Sequence, residues 1–88
     1  MQTDFYHKED NLRKIMLAQN IRCFERAGSA KSLLLARTGF LLETGTYIYI
    51  GEPVKMCYDH MDKIAVPFQI RGNKGFLLQE ELLYINPA

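Results

Sequence analysis

The chain has 88 residues and a formal net charge of +1. That length is one domain near the lower limit for a self-sufficient core, and that charge gives no global field to draw it to nucleic acid or an acidic membrane. Hydrophobic residues make up 48% and charged residues 24%, which excludes a disordered chain and fits a folded soluble one.

The first residues, MQTDFYHKEDN, are polar and mixed in charge, without the apolar stretch of a signal peptide. No apolar run is longer than that at residues 33–36, which is too short to span a bilayer. A cytoplasmic location with no membrane partner is therefore expected. Cys23 and Cys57, the only two cysteines, are too few for a disulfide-dense scaffold, and reduced thiols are expected.

Between Lys8 and Ala27 there is no Gly or Pro, and good helix formers fill the centre. Leu12, Ile15, Met16, Gln19 and Cys23 share one face of a helix, extended by Leu17, Ile21 and Phe24. Asp10 suits the N-cap and Gly28 the end. The spacing predicts a helix over 9–19; residues 20–27 read either as its continuation or as a strand beginning at Ile21. The chain divides near Gly28 and Ser29.

Beyond that point the period changes. Residues 33–36 read as a strand and 37–45 as a turn-rich loop. Residues 46–50 alternate β-branched and aromatic side chains, a strand signal that resumes at Val54, Met56 and Tyr58 after a bend at Gly51–Glu52–Pro53. Ile64, Val66, Phe68 and Ile70 form the clearest two-residue period, and Pro67 requires an edge or a bulge there. Asn73–Lys74–Gly75 fits a type I turn with Gly75 left-handed. Residues 76–78 and 82–85 read as short strands, with Gln79–Glu80–Glu81 as one helical turn between them.

The expected fold is α+β, mainly β, in a single domain over 1–88. An N-terminal helical segment (1–28) packs on a small five-stranded antiparallel barrel (31–85). Ile15, Leu34, Ile48, Ile50, Val66, Phe68, Ile70, Leu77 and Leu83 are its expected core. Residues 45–85, GTYIYIGEPVKMCYDHMDKIAVPFQIRGNKGFLLQEELLYI, resemble the Src-homology-3-like small barrel. They match its second strand, variable loop, third strand, tight hairpin at 71–75, fourth strand, one-turn helix and last strand. KGFLLQEELLYI is the closest piece. The resemblance implies the barrel topology. The family's acidic, tyrosine-rich first-strand motif is missing and the chain has no tryptophan, so recognition of proline-rich peptides is not implied.

Chemical motifs are sparse. Cys57, Asp59, His60 and Asp62 lie within six residues, and His7 and Cys23 would complete a two-Cys, two-His donor set for a structural zinc. No pair has the usual ligand spacing, so a polar hairpin turn is expected there, with no cofactor. Pairing a cysteine with His60 lacks any local activation signature, and no catalytic residue is expected. AGSAKS at 27–32 has Ala30 where a phosphate loop needs glycine.

Phe5, Tyr6, Phe40, Tyr47 and Tyr49 exceed what so small a core must hide, which points to an exposed aromatic patch. The expected function is a non-enzymatic accessory or regulatory protein that binds another protein, with Phe40, Tyr47, Tyr49 and Tyr58 as candidate contacts. Homodimerisation would extend the small core. The alternative is a nucleic-acid-binding domain. As a barrel it would use Lys55, Arg71, Lys74 and surface tyrosines; a winged-helix-like form would need helices at 9–19 and 29–37.

Overall fold

Residues 12–29 and 31–87 are described by the computed structural model, and among them the chain forms strands and a single 3-10 turn. The strands are β1 (Arg13–Leu17), β2 (Ile21–Arg26), β3 (Leu35–Leu42), β4 (Tyr47–Ile50), β5 (Val54–Tyr58), β6 (Met61–Ile70), β7 (Asn73–Leu78) and β8 (Tyr84–Ile85), with the turn at Gln79–Glu81. They build one eight-stranded sheet in the order β3-β2-β7-β6-β4-β1-β8, with β5 also paired to β6. All strand pairs are antiparallel.

Three expectations are overturned. The described part of the expected N-terminal helix is β1, a tight turn and β2, and no helix among the described residues is long and apolar enough to cross a membrane. The start of that expected helix, with Asp10, lies outside the described residues, as do Phe5, Tyr6 and His7. Helix propensity is a weak prior, and β1 gains a ladder on both sides, with β4 and with β8. Ile15 and Leu17 are fully buried on one face, a two-residue period that the apolar Met16 between them hides in the sequence. The five-stranded barrel is also wrong, because β1, β4 and β8 join the other five strands in one larger sheet. Residues 37–42, expected as loop, belong to β3, whose partner β2 lies in the segment first read as helix.

The core is double. One cluster holds Ile15, Leu17, Ile21, Cys23, Leu42, Ile48, Ile50, Val66, Phe68 and Leu77. The other holds Phe24, Leu35, Met56, Ala65 and Leu78, with Tyr58 and Phe76 against it. Cys23 and Phe24, Ala65 and Val66, and Leu77 and Leu78 are sequence neighbours in different clusters. Since successive strand residues point to opposite faces, β2, β6 and β7 carry a core on each face. The smaller cluster is closed at one side by β5: Cys57 N–H donates to the Leu33 carbonyl at 2.8 Å, and Leu34 bridges Cys57. Leu34 and Leu83, expected in the core, are 53% and 56% exposed; both stand where the chain enters or leaves the sheet edge.

Pro67 lies within a central strand, and the irregularity it requires is on the neighbour. Ile50 pairs with Phe68 and Val54 with Ala65, so Gly51–Glu52–Pro53 face only Val66 and Pro67. Gly51 N–H donates to the Pro67 carbonyl at 2.9 Å. Backbone N–H and C=O of one antiparallel residue point the same way, so the missing donor of Pro67 faces this break and leaves no ladder bond unmade.

Both hairpins of this region are two-residue turns. Asp59 (φ 55°) and His60 (φ 65°) join β5 to β6; Arg71 (φ 48°) and Gly72 (φ 84°) join β6 to β7. Paired positive φ values match the strand twist at such a turn. The hairpin expected at Asn73–Lys74–Gly75 is thus displaced: those residues are already strand. Gly75 has another role. A Cβ there would lie 2.9 Å from the Phe24 carbonyl oxygen and 2.9 Å from the Phe68 ring, so its bareness lets β2 and Phe68 close on β7. Gly75→Ala should lower stability by about 1–3 kcal/mol in urea unfolding. Gly39→Ala, with nothing within 4 Å, should change it by less than about 0.5 kcal/mol. Equal midpoints for the two variants would refute the close approach.

Candidate functional site

Two of the exposed aromatics, Tyr47 and Tyr49, share one face of the sheet. Tyr47 and Tyr49 are successive outward residues of β4, whose other face buries Ile48 and Ile50. Register places Met16 beside Tyr47 and Ile85 beside Met16. A second row crosses four strands, with Lys14 beside Tyr49, Tyr49 beside Gln69, and Gln69 beside Lys74. Directly paired residues share a face, so these side chains form one surface. Lys14 and Lys74 end their row about 14 Å apart, three strand spacings. Lys14 Nζ stands 4.9 Å from the Tyr47 ring centroid, a cation–π contact. Tyr47 is 51% and Tyr49 46% exposed. Neither row contains a carboxylate.

Phe40 lies apart from this face but is linked to it through Lys74. Between the pairs Arg22–Leu41 and Phe24–Arg37, three residues of β3 face Cys23 alone. Thr38 repairs the gap: its hydroxyl donates to the Cys23 carbonyl at 3.2 Å and accepts from the Phe40 N–H at 3.0 Å. The bulge turns Phe40 outward over a cleft of about 240 Å³ that Lys74, Thr38, Cys23 and Phe68 also line.

The remaining expected residues are not gathered. Tyr58 is structural: its ring meets Phe24 edge-on at 4.9 Å and 81°. Arg37 covers both rings, at 4.3 Å from Phe24 and 5.8 Å from Tyr58, and pairs with Glu81 at 3.0 Å. The Glu81 hydrogen bond pushes the Arg37 pKa up, against desolvation. Lys55 pairs with Ile64 on the face opposite Met56 and Ala65 and meets none of the tyrosines. Arg71 is held in the β6–β7 turn.

Asp59 and His60 occupy a turn, and Cys57 pairs with Asp62 in the hairpin they close. Among the described residues no three metal-binding side chains come together. Compared with known proteins, the chain matches no family model, no curated protein and no solved structure.

Lys14, Met16 and Ile85 are the contributors that sequence reasoning missed. A two-residue reading of 12–17 would have placed Lys14 and Met16 together on the face away from Ile15 and Leu17. Nothing local to Ile85 shows that it lies across from Met16. Cys23 and Cys57 are free thiols, the first buried and the second half-buried. Burial pushes the Cys23 thiol up to about 11. A thiol reagent near neutral pH should therefore label Cys57 in the native protein and reach Cys23 only in denaturant. Cys57→Ser should abolish the native signal; equal native rates for both thiols would contradict the buried position of Cys23.

Proposed function

We propose that the chain is a non-enzymatic accessory or regulatory module that binds one protein partner on the face formed by β8, β1 and β4. One observation carries this reading. Tyr47 and Tyr49 stand exposed beside Met16 and Ile85, on strands in which β1 is paired on both sides. Aromatic side chains on a rigid frame supply large contact area at small entropic cost, and aromatics and Met are enriched at interface centres. Lys14 and Lys74 border the patch without carboxylates in their row, which suits a partner whose apolar contact is rimmed by acidic residues. A cytoplasmic setting, in which both cysteines stay reduced, belongs to the same proposal. Support comes from this surface and not from kinship with the Src-homology-3-like family.

A second reading has its own observation. The row Lys14–Tyr49–Gln69–Lys74 sets an aromatic ring between two cations, the arrangement that stacks a base and holds the flanking phosphates of a single strand.

Affinity capture from nuclease-treated extract separates the two. The wild type should retain a partner that the Tyr47→Ala/Tyr49→Ala double variant loses and that Lys55→Ala keeps. Unchanged capture by the double variant would end the protein reading, and sedimentation of the purified chain shows whether the partner is a second copy. Binding to a single-stranded oligonucleotide that falls steeply with salt, and further with Lys14→Ala and Lys74→Ala, would put the second reading in its place.

A further inference from the structure

On the opposite face of β1 from Lys14, a cleft of about 340 Å³ opens between β4, the break after it, the 3-10 turn and β8. Its floor is Ile50 and Val66 of the larger core, with Leu82 packed against them. Its rim carries Arg13, Glu52, Gln79 and Tyr84. The volume stands at the small end of the range for ligand sites, which excludes a cofactor-sized molecule and admits a metabolite-sized one.

The rim separates its charges. Arg13 pairs in register with Ile50, and Glu52 lies two residues further along the same chain, so the two start as neighbours across the ladder. They do not bond to each other: the ion pairs among the described residues are Arg37–Glu81 and Lys63–Glu80. Arg13 is drawn the other way, with its guanidinium donating to the Tyr84 hydroxyl at 2.6 Å. Glu52 lies exposed in the three-residue break opposite Val66 and Pro67. Among the described residues the Arg13 guanidinium bonds to the Tyr84 hydroxyl alone, so a guanidinium and a carboxylate stand at the mouth of a hollow with an apolar floor.

We propose that this cleft binds a small zwitterion with an apolar side chain, that is, a free α-amino acid of the leucine or phenylalanine class. Its carboxylate bonds to Arg13 and the Tyr84 hydroxyl, its ammonium to Glu52, and its side chain covers Val66, Ile50 and Leu82. A plain carboxylate meets the repulsion of Glu52, and a plain amine that of Arg13; the zwitterion satisfies both. The site is independent of the tyrosine face, which lies on the other side of β1.

The test is an amide-resolved NMR titration of the full chain with L-leucine, hexanoate and hexylamine. Leucine should give saturable shifts confined to Arg13, Gly51, Glu52, Gln79 and Tyr84, with hexanoate and hexylamine at least roughly tenfold weaker. Arg13→Gln and Glu52→Gln should each weaken leucine roughly tenfold, the scale of one charge-assisted hydrogen bond. Glu52→Gln should also narrow the gap between leucine and hexanoate. Both substitutions fall on exposed positions, and retained amide dispersion establishes that the variants fold. Three results would each overturn the proposal: no saturable shifts with leucine, hexanoate binding as tightly as leucine, or leucine affinity unchanged in Glu52→Gln.

Discussion

The structure depends on strands that serve two cores at once. Cys23 with Phe24, Ala65 with Val66, and Leu77 with Leu78 send neighbouring side chains into different clusters. A strand covered on both faces reads as a continuous apolar run and needs its neighbours to approach closely. Gly75 and Ala65 supply that closeness, the first by having no Cβ where the Phe24 backbone and the Phe68 ring arrive. β1 and β4 carry only the larger core and β8 contributes to neither, so their other face is left to solvent. The tyrosine face is what remains of the sheet once the smaller core has covered its share.

Legibility in the sequence did not follow this division. β6 was visible from the alternation of Ile64, Val66, Phe68 and Ile70, of which Val66 and Phe68 are buried in the larger core, and β4 from its exposed tyrosines alternating with buried isoleucines. The single helical turn at Gln79–Glu81 and the bend at Gly51–Glu52–Pro53 were visible from local chemistry. β1 and β2 were not. Leu12, Ile15, Met16 and Leu17 satisfy a helical stripe as well as a strand, and only the partners β4, β8, β3 and β7 decide between them. The smaller core escaped notice because Phe24 and Met56, on strands that do not pair, meet only by packing in the fold. The tyrosine pair was legible; Lys14 and its aliphatic neighbours Met16 and Ile85 were not, since they sit beside it by cross-strand register alone.

The aromatic residues divide by their company. Tyr58 is held against Phe24 under Arg37, whose Glu81 partner ties β3 to the turn after β7, so it seals the smaller core and is spent on stability. Among the described residues Tyr47 and Tyr49 pair with no other ring, and Lys14 lies over Tyr47. The same residue type thus fills opposite roles on β4 and β5, which both pair with β6, decided by which part of that face the smaller core covers.

The bulge in β3 has a consequence for the chain in crowded solution. β3 is an eight-residue edge strand bearing the exposed Phe40 and Leu41, and an unpaired apolar edge of that length is a template on which further copies can grow into fibrils. The three residues set against Cys23, with Thr38 bonded inward to both sides of the gap, break the regular spacing of donors and acceptors that an incoming strand would need. The irregularity that turns Phe40 outward is therefore also what keeps that edge from propagating.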